Sequence, residues 1–122
     1  IPEATVAAAR ALAPRPTVIL VGGHDRAQDY APLADYLAAG SAVVGVVGMP
    51  ANGAAIVERV RDAPVAVAMA DDLDDAVRRA RAMVPPGGAV LLSPGAPTGP
   101  EFRDFQVRGD RFRELVAAPA PG

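Results

Sequence analysis

The chain has 122 residues, a formal net charge of −2 and no cysteine. This length suits one domain, and the lack of cysteine excludes disulfide scaffolds, thiolate metal sites and cysteine nucleophiles. All 12 of its Lys and Arg residues are Arg, so a P-loop, a Schiff base or a Lys general base is excluded as well. No basic patch alternates with aromatic residues, no apolar run is long enough to span a membrane, and the N-terminus lacks a signal pattern. We therefore expect a soluble, cytoplasmic domain that does not bind nucleic acid or membranes.

Helical patterns alternate with strand patterns along the chain. The first helix runs from Pro2 to Leu12, with Pro at its first position and Pro14 ending it. Four short, nearly continuous apolar runs follow, and such runs are typical of strands that are covered on both faces. They lie at residues 17–21, 42–47, 64–68 and 89–92.

Apolar stripes at helical spacing separate these strands. In the stripe at residues 73–84, Asp residues crowd the first turn of the helix and three Arg follow them, as expected for a surface helix. The four stripes are Leu33 with Leu37, Ile56 with Val60, Leu73 with Val77, Ala80 and Val84, and Phe102 with Phe105, Phe112 and Val116. Strands that alternate with helices in this way predict right-handed crossovers. We predict a Rossmann-like α/β fold, with a mostly parallel sheet and helices on both faces, over residues 1–116 and a flexible tail at 117–122.

The turn after the first strand is the first candidate site. Gly22 and Gly23 permit close backbone approach, but the turn does not match Gly-x-Gly-x-x-Gly, so the dinucleotide fingerprint fails. His24 is the only histidine, and no neighbouring serine or acid gives it the spacing of a catalytic triad. Asp29 is suited to cap a helix that begins near Ala31.

The run at residues 88–105 is the second candidate site, because it has the pattern of a buried strand, a tight polar turn and the start of a helix. In parallel α/β sheets ligands bind at such junctions, where the next helix directs free N–H groups at anions. Thr98-Gly-Pro-Glu101 has the form of a capping box. Thr98 therefore either caps the helix or contacts a ligand, and Phe105 is either a core residue or part of the pocket.

Taken together, these segments resemble the C-terminal domain of the Mur ligases. The family has the pattern Gly-Gly-x-x-Lys-x-x-Asp-Phe after the first strand, and Gly22, Gly23, Asp29 and Tyr30 fit it, with Arg26 in place of the Lys. The opening Pro-Glu-Ala-Thr and residues 86–94 and 101–112 also occur in family order. The last of these segments contains the spaced set Phe102, Phe105, Arg108, Gly109 and Phe112.

The resemblance implies one domain of a three-domain ligase of peptidoglycan precursor synthesis. In such enzymes a first domain holds the UDP-sugar peptide, a central P-loop domain binds Mg²⁺ and ATP, and the last domain brings the amino acid. The peptide carboxylate becomes an acyl phosphate, which the amino group then attacks. The chain is most similar to members that add glutamate to UDP-N-acetylmuramoyl-L-alanine. Its partners would be the N-terminal and central domains, glutamate and the UDP-muramoyl precursor, and alone it would be inactive.

By the same resemblance, Arg26, Thr98 and Phe105 would bind the amino acid, and His24, Asp25 and Ser93 would be further substrate or nucleotide contacts. No catalytic residue and no metal ligand is expected in this chain. Gly99 and Pro100 depart from the family pattern, so the amino acid and its stereoisomer stay open. The alternatives are a Mur-type ligase for another amino acid and a stand-alone Rossmann-like binding or regulatory module.

Overall fold

The computed structural model describes residues 2–22, 29–50 and 52–92, and these form an alternating series of helices and parallel strands. The four described strands form one sheet in the order β3-β2-β1-β4, and every neighbouring pair is parallel. The predicted Rossmann-like α/β fold is confirmed. In chain order the elements are α1 (Pro2–Leu12), β1 (Thr17–Gly22), α2 (Ala31–Ala38), β2 (Val43–Met49), α3 (Gly53–Val60), β3 (Ala66–Met69), α4 (Leu73–Met83) and β4 (Ala89–Leu92). The predicted last helix and the tail at 117–122 lie outside the described residues.

The predicted bounds of the four strands agree with the structure to within two residues. β3 starts two residues later than predicted, and the cause is local. The apolar run predicted a strand from residue 64, but β3 begins at Ala66. Pro64 has no N–H to donate, and the N–H of Val65 donates to the carbonyl of Ala63 at 2.8 Å. Neither backbone nitrogen is therefore available to the sheet.

The core has two layers, which the alternating side chains of β1 separate. Ile19 and Val21 pack against α1, α2 and α3, whereas Val18 and Leu20 pack against α4. All six residues of β1 are buried, because β2 and β4 pair with its two edges and helices cover its two faces. β1 is therefore the central strand of the domain.

Hydrogen bonds from Arg15 hold the start of β4 beside β1. Its Nε donates to the carbonyl of Gly87 at 3.2 Å and its guanidinium to that of Gly88 at 2.9 Å. The N–H of Ala89 donates to the carbonyl of Pro16 at 2.8 Å. These contacts join parts of the chain more than 70 residues apart and set the register of the β1–β4 pair.

Asp75 is a buried carboxylate at the start of α4, where the sequence predicted only an exposed, charged first turn. It is 9% exposed and accepts hydrogen bonds from the N–H of Asp71 at 3.0 Å, from Arg79 Nε at 3.0 Å and from Arg78. Asp72 caps the helix, since its side chain accepts the N–H of Asp75 at 2.8 Å. The Asp71 N–H, followed by Arg79, lowers the pKa of Asp75, and desolvation only partly opposes this.

Gly22 ends β1 in a conformation and at a distance that only glycine accommodates. Its φ is +134°, and a Cβ atom there would lie 2.2 Å from the carbonyl oxygen of Met49 at the end of β2. The first glycine of the predicted turn is therefore required by close backbone approach, as expected. Gly23 lies outside the described residues.

We expect Gly22→Ala to lower the free energy of unfolding more than Gly40→Ala does. Both residues have positive φ, but a Cβ at Gly40 would meet nothing within 4 Å. Backbone strain of about 1–3 kcal/mol is common to both variants, and overpacking against Met49 adds about 1–3 kcal/mol at Gly22. Urea unfolding measures the difference. Equal losses in the two variants would show that β1 and β2 do not approach this closely.

We expect the stabilising effect of Asp75 to disappear in acid. Its folded-state pKa lies below the ordinary value of 3.8, so its contribution is complete above that pH and is lost as the pH falls through the folded-state pKa. Asp75→Asn should therefore lower the free energy of unfolding at pH 7. The difference in this free energy between variant and wild type should become smaller below pH 3.8.

Asp62→Asn, at an exposed position after α3, is the matched control. Denaturant unfolding at neutral pH and in acid tests the comparison. If Asp75→Asn lowered the free energy of unfolding as much in acid as at pH 7, the ionised Asp75 carboxylate would not be the stabilising group.

Candidate functional site at the carboxyl edge of the sheet

The carboxyl ends of the four parallel strands lie along one edge of the sheet. Gly22 pairs with Met49 at this edge, Gly48 of β2 pairs with Met69, and Leu20 of β1 pairs with Leu92. The turns that follow β1 and β4 therefore leave from neighbouring strands. These are the two turns that the sequence singled out.

The gap between β1 and β4 is the topological switch point of the sheet. From β1 the chain continues to β2 and β3 on one side, and β4 lies on the other side of β1. Helices that follow adjacent strands at such a point diverge, which leaves a crevice at the carboxyl edge where α/β proteins bind ligands. The strand order puts the ends of β1 and β4, from which the two candidate turns leave, on either side of this crevice, and the sequence patterns did not predict that order.

All six predicted site residues lie outside the described residues. His24, Asp25 and Arg26 belong to the turn after β1. Ser93 and Thr98 follow β4, and Phe105 lies further along the chain. The structure describes the strand ends from which these segments depart, and the positions of the six side chains stay predictions.

Asp29 and Tyr30 fix the far end of the turn after β1. Asp29 Oδ1 accepts the N–H of Ala31, the first residue of α2, at 2.9 Å, but the N-cap position itself is Tyr30, which makes no side-chain capping hydrogen bond. Tyr30 is only 9% exposed and belongs to the core beneath α1, α2 and α3. Both family-pattern residues therefore have structural roles. The turn that carries Arg26 is held at Gly22 at one end and at Asp29 at the other.

The turn after β2 brings a further polar atom to this edge. Asn52 precedes α3, and its side chain makes no capping hydrogen bond. Its Oδ1 is buried and has no hydrogen-bond partner among the described residues. Asn52 was not among the predicted site residues, although an Asn immediately before an apolar helical stripe is a recognisable start signal.

The acidic turn after β3 does not form a metal site. The Asp75 carboxylate is already engaged by Asp71, Arg78 and Arg79. Within the described ranges no group of three or more His, Cys, Asp or Glu residues could hold a metal ion. β2 also separates this turn from the switch point.

The described helices are also too short to cross a bilayer. α1 and α4 have 11 residues each, and none of the helices in this part of the chain is long and apolar enough to span a membrane.

Comparison with known proteins identifies the family. The sequence model of the family described as Mur ligase, glutamate ligase domain, matches residues 2–95. A UDP-N-acetylmuramoyl-L-alanine–L-glutamate ligase of Micromonospora sp. is 44% identical over 94% of this chain, and one of Salinispora tropica is 42% identical over the same share. A UDP-N-acetylmuramoylalanine–D-glutamate ligase of Thiobacillus denitrificans is 37% identical over 93% of the chain.

The match covers nearly all of this chain but only part of each relative. The chain spans 25% of the Micromonospora and Salinispora proteins and 23% of the Thiobacillus protein. The resemblance inferred from the two turns is confirmed at the level of the family. The chain belongs to the Mur ligases and corresponds to their glutamate ligase domain.

Proposed function

We propose that this chain is the amino-acid-binding domain of an ATP-dependent ligase that adds glutamate to UDP-N-acetylmuramoyl-L-alanine in peptidoglycan precursor synthesis. The observation that carries the proposal is the pairing of β1 with β4, because both candidate turns leave from these adjacent parallel strands. Family membership supplies the reaction class, and the names of the relatives supply the substrates.

Arg26 and Thr98 would bind the acidic substrate from the two sides of the switch point. The planar guanidinium of Arg26 can donate two parallel hydrogen bonds to a carboxylate, whereas the Lys of the family pattern offers a compact point charge. A charge-assisted contact of this kind contributes about 1.5–3 kcal/mol. The Thr98 hydroxyl and the free N–H groups of the helix after it would face the same anion, with Phe105 packing against the substrate chain.

The chemistry assigned to this domain is delivery of the amino nucleophile. ATP and Mg²⁺ would be held mainly by the central domain, since this chain has no P-loop Lys and its described part has no metal-binding acid cluster. The central domain would supply the phosphoryl transfer that activates the peptide carboxylate. The nitrogen of the bound amino acid then forms the amide bond as phosphate leaves the acyl carbon. The cytoplasmic location and the partnership with the other two domains are part of the same proposal.

We further propose that the amino acid is L-glutamate. The two relatives at 44% and 42% identity are named for the L isomer, whereas the D-glutamate relative is 37% identical. Gly99 and Pro100, which depart from the D-glutamate ligase pattern, follow Thr98 directly. Changes beside the hydroxyl that faces the substrate are well placed to alter which groups around Cα the pocket accepts.

The full-length ligase tests the amino-acid preference directly. With ATP, Mg²⁺ and UDP-N-acetylmuramoyl-L-alanine, we expect phosphate release to be faster with L-glutamate than with D-glutamate at equal concentration. L-aspartate, which is one methylene shorter, serves as the length control. A preference for D-glutamate would overturn the isomer assignment, and no activity with either isomer would overturn the proposed reaction.

Arg26→Ala in that enzyme should raise KM for glutamate about 10- to 150-fold with a smaller effect on kcat, as loss of 1.5–3 kcal/mol of substrate binding requires. Arg26→Lys should restore much of the binding, because it restores the cation of the family pattern. The control is Arg61→Ala, since Arg61 is exposed, follows the last residue of α3 and pairs with Glu58 three residues earlier. Unchanged KM in Arg26→Ala would remove Arg26 from the pocket.

A further inference from the structure

β4 is a strand whose apolar pattern does little to fix its register against β1. It has four residues, all of them apolar and half-buried, and among the described strands it pairs only with β1. Val90 and Leu92 pack with the cluster beneath α4, whereas Leu91 packs with the cluster on the other face of the sheet. A shift of β4 by one residue along β1 would exchange the two faces, and both would stay apolar. Hydrophobic burial therefore discriminates poorly between the two registers.

Polar contacts at the amino end of β4 discriminate between these registers. Arg15 donates to the carbonyls of Gly87 at 3.2 Å and Gly88 at 2.9 Å, through Nε and the guanidinium respectively. The carbonyl of Pro16 accepts the N–H of Ala89 at 2.8 Å. A shift by one residue moves the strand by about 3.3 Å, which is further than a hydrogen bond can stretch, so these three contacts would be lost.

Steric contacts leave only a shift towards the carboxyl edge open. A Cβ at the place of Gly88 would lie 2.6 Å from the carbonyl oxygen of Pro16, so a shift that brings Ala89 there would produce a clash. The opposite shift brings Gly87, which has no Cβ. The turn before β4, closed by a hydrogen bond from Gly88 N–H to the carbonyl of Pro85 at 3.0 Å, holds the chain that this shift needs. Such a turn spans less than about 7 Å and would reach about 10 Å if it opened.

We propose that Arg15 is a positioning residue for glutamate binding, because its two hydrogen bonds prevent β4 from shifting towards the carboxyl edge. The backbone of Arg15 is itself fixed, since its N–H donates to Leu12 at 3.0 Å and its carbonyl accepts the Thr17 hydroxyl at 2.9 Å. In the observed register Leu92, the last residue of β4, lies opposite Leu20. In the shifted register this strand end would lie about 3.3 Å further along β1.

The effect on binding rests on the proposed function, in which the turns after β1 and β4 hold the amino acid together. Arg15 precedes β1, at the opposite end of that strand from both turns, so it acts on the substrate only through β4. If only the observed register binds glutamate, the apparent KM rises as the fraction of molecules in that register falls. The enzyme with bound glutamate is unchanged, so kcat is unchanged too.

We expect Arg15→Ala in the full-length ligase to raise KM for glutamate about 3- to 10-fold and to leave kcat nearly unchanged. Asp75→Asn is the matched comparison, because Asp75 stabilises the start of α4, which follows β3, the described strand furthest from β4. It should destabilise the domain without raising KM. An equal rise of KM in both variants would show that Arg15 is a general stabilising residue and would overturn the proposal.

Methyl NMR of the 122-residue chain tests the register without any substrate. Cross-relaxation between the methyl groups of Leu20 and Leu92 should weaken in Arg15→Ala, because these two residues are opposite each other only in the observed register. A new cross-peak between Leu20 and Leu91 should appear, since the shift brings Leu91 opposite Leu20 and onto the α4 face. The cross-peak between Leu20 and Val47 of β2 is the internal control and should not change.

The two measurements separate failure of this inference from failure of the proposed function. Unchanged cross-peaks from Leu20 to β4 in Arg15→Ala would overturn the control of register, whatever the substrate is. A changed register with an unchanged KM would overturn the positioning role. A changed register in a full-length ligase that is inactive with both isomers of glutamate would overturn the proposed function, and with it the effect on binding, but would support the control of register by Arg15.

Discussion

The fold and the candidate site both depend on the parallel pairing of β1 with its two neighbours. β1 is buried along its whole length because β2 and β4 occupy its edges and helices cover both faces. This arrangement places the carboxyl ends of β1 and β4 side by side and makes the gap between them the switch point of the sheet. If β4 paired elsewhere, the strand ends from which the two candidate turns leave would lie apart.

Short-range contacts between the ends of β1 and β2 fix the shape of this edge. Gly22 lies against the carbonyl of Met49, and a Cβ on Gly53 would lie 2.7 Å from the backbone of Gly48. Such backbone contacts tolerate no side chain, so they define where the turn after β1 begins. Asp29 and Tyr30 define where it ends.

Much of the fold could be predicted from the sequence because its signals are local. Apolar runs gave the four strands, and periodic stripes gave the helices at Leu33, Ile56 and Leu73. Strand order could not be read in this way, since the pairing of Leu20 with Leu92 depends on packing between distant parts of the chain. The burial of Asp75 was missed for a related reason, because its neighbours in sequence are charged and only the contacts with Asp71, Arg78 and Arg79 explain it. Of the site, the sequence supplied the two turns, and the structure shows that the strands before them are paired.

Domains of this family occur in relatives that are named for opposite isomers of glutamate. Relatives named for L-glutamate and for D-glutamate match this chain over almost the same share of its length, at identities of 37–44%. Both isomers present the same two carboxylates, so the proposed contacts from Arg26 and Thr98 would suit either one. The isomers differ only in how the groups are arranged around Cα, and buried strands such as β1 cannot change to suit that difference without disturbing the core. Under the proposed function, we therefore expect discrimination between isomers to come from residues such as those between Gly22 and Asp29 and not from the buried strands.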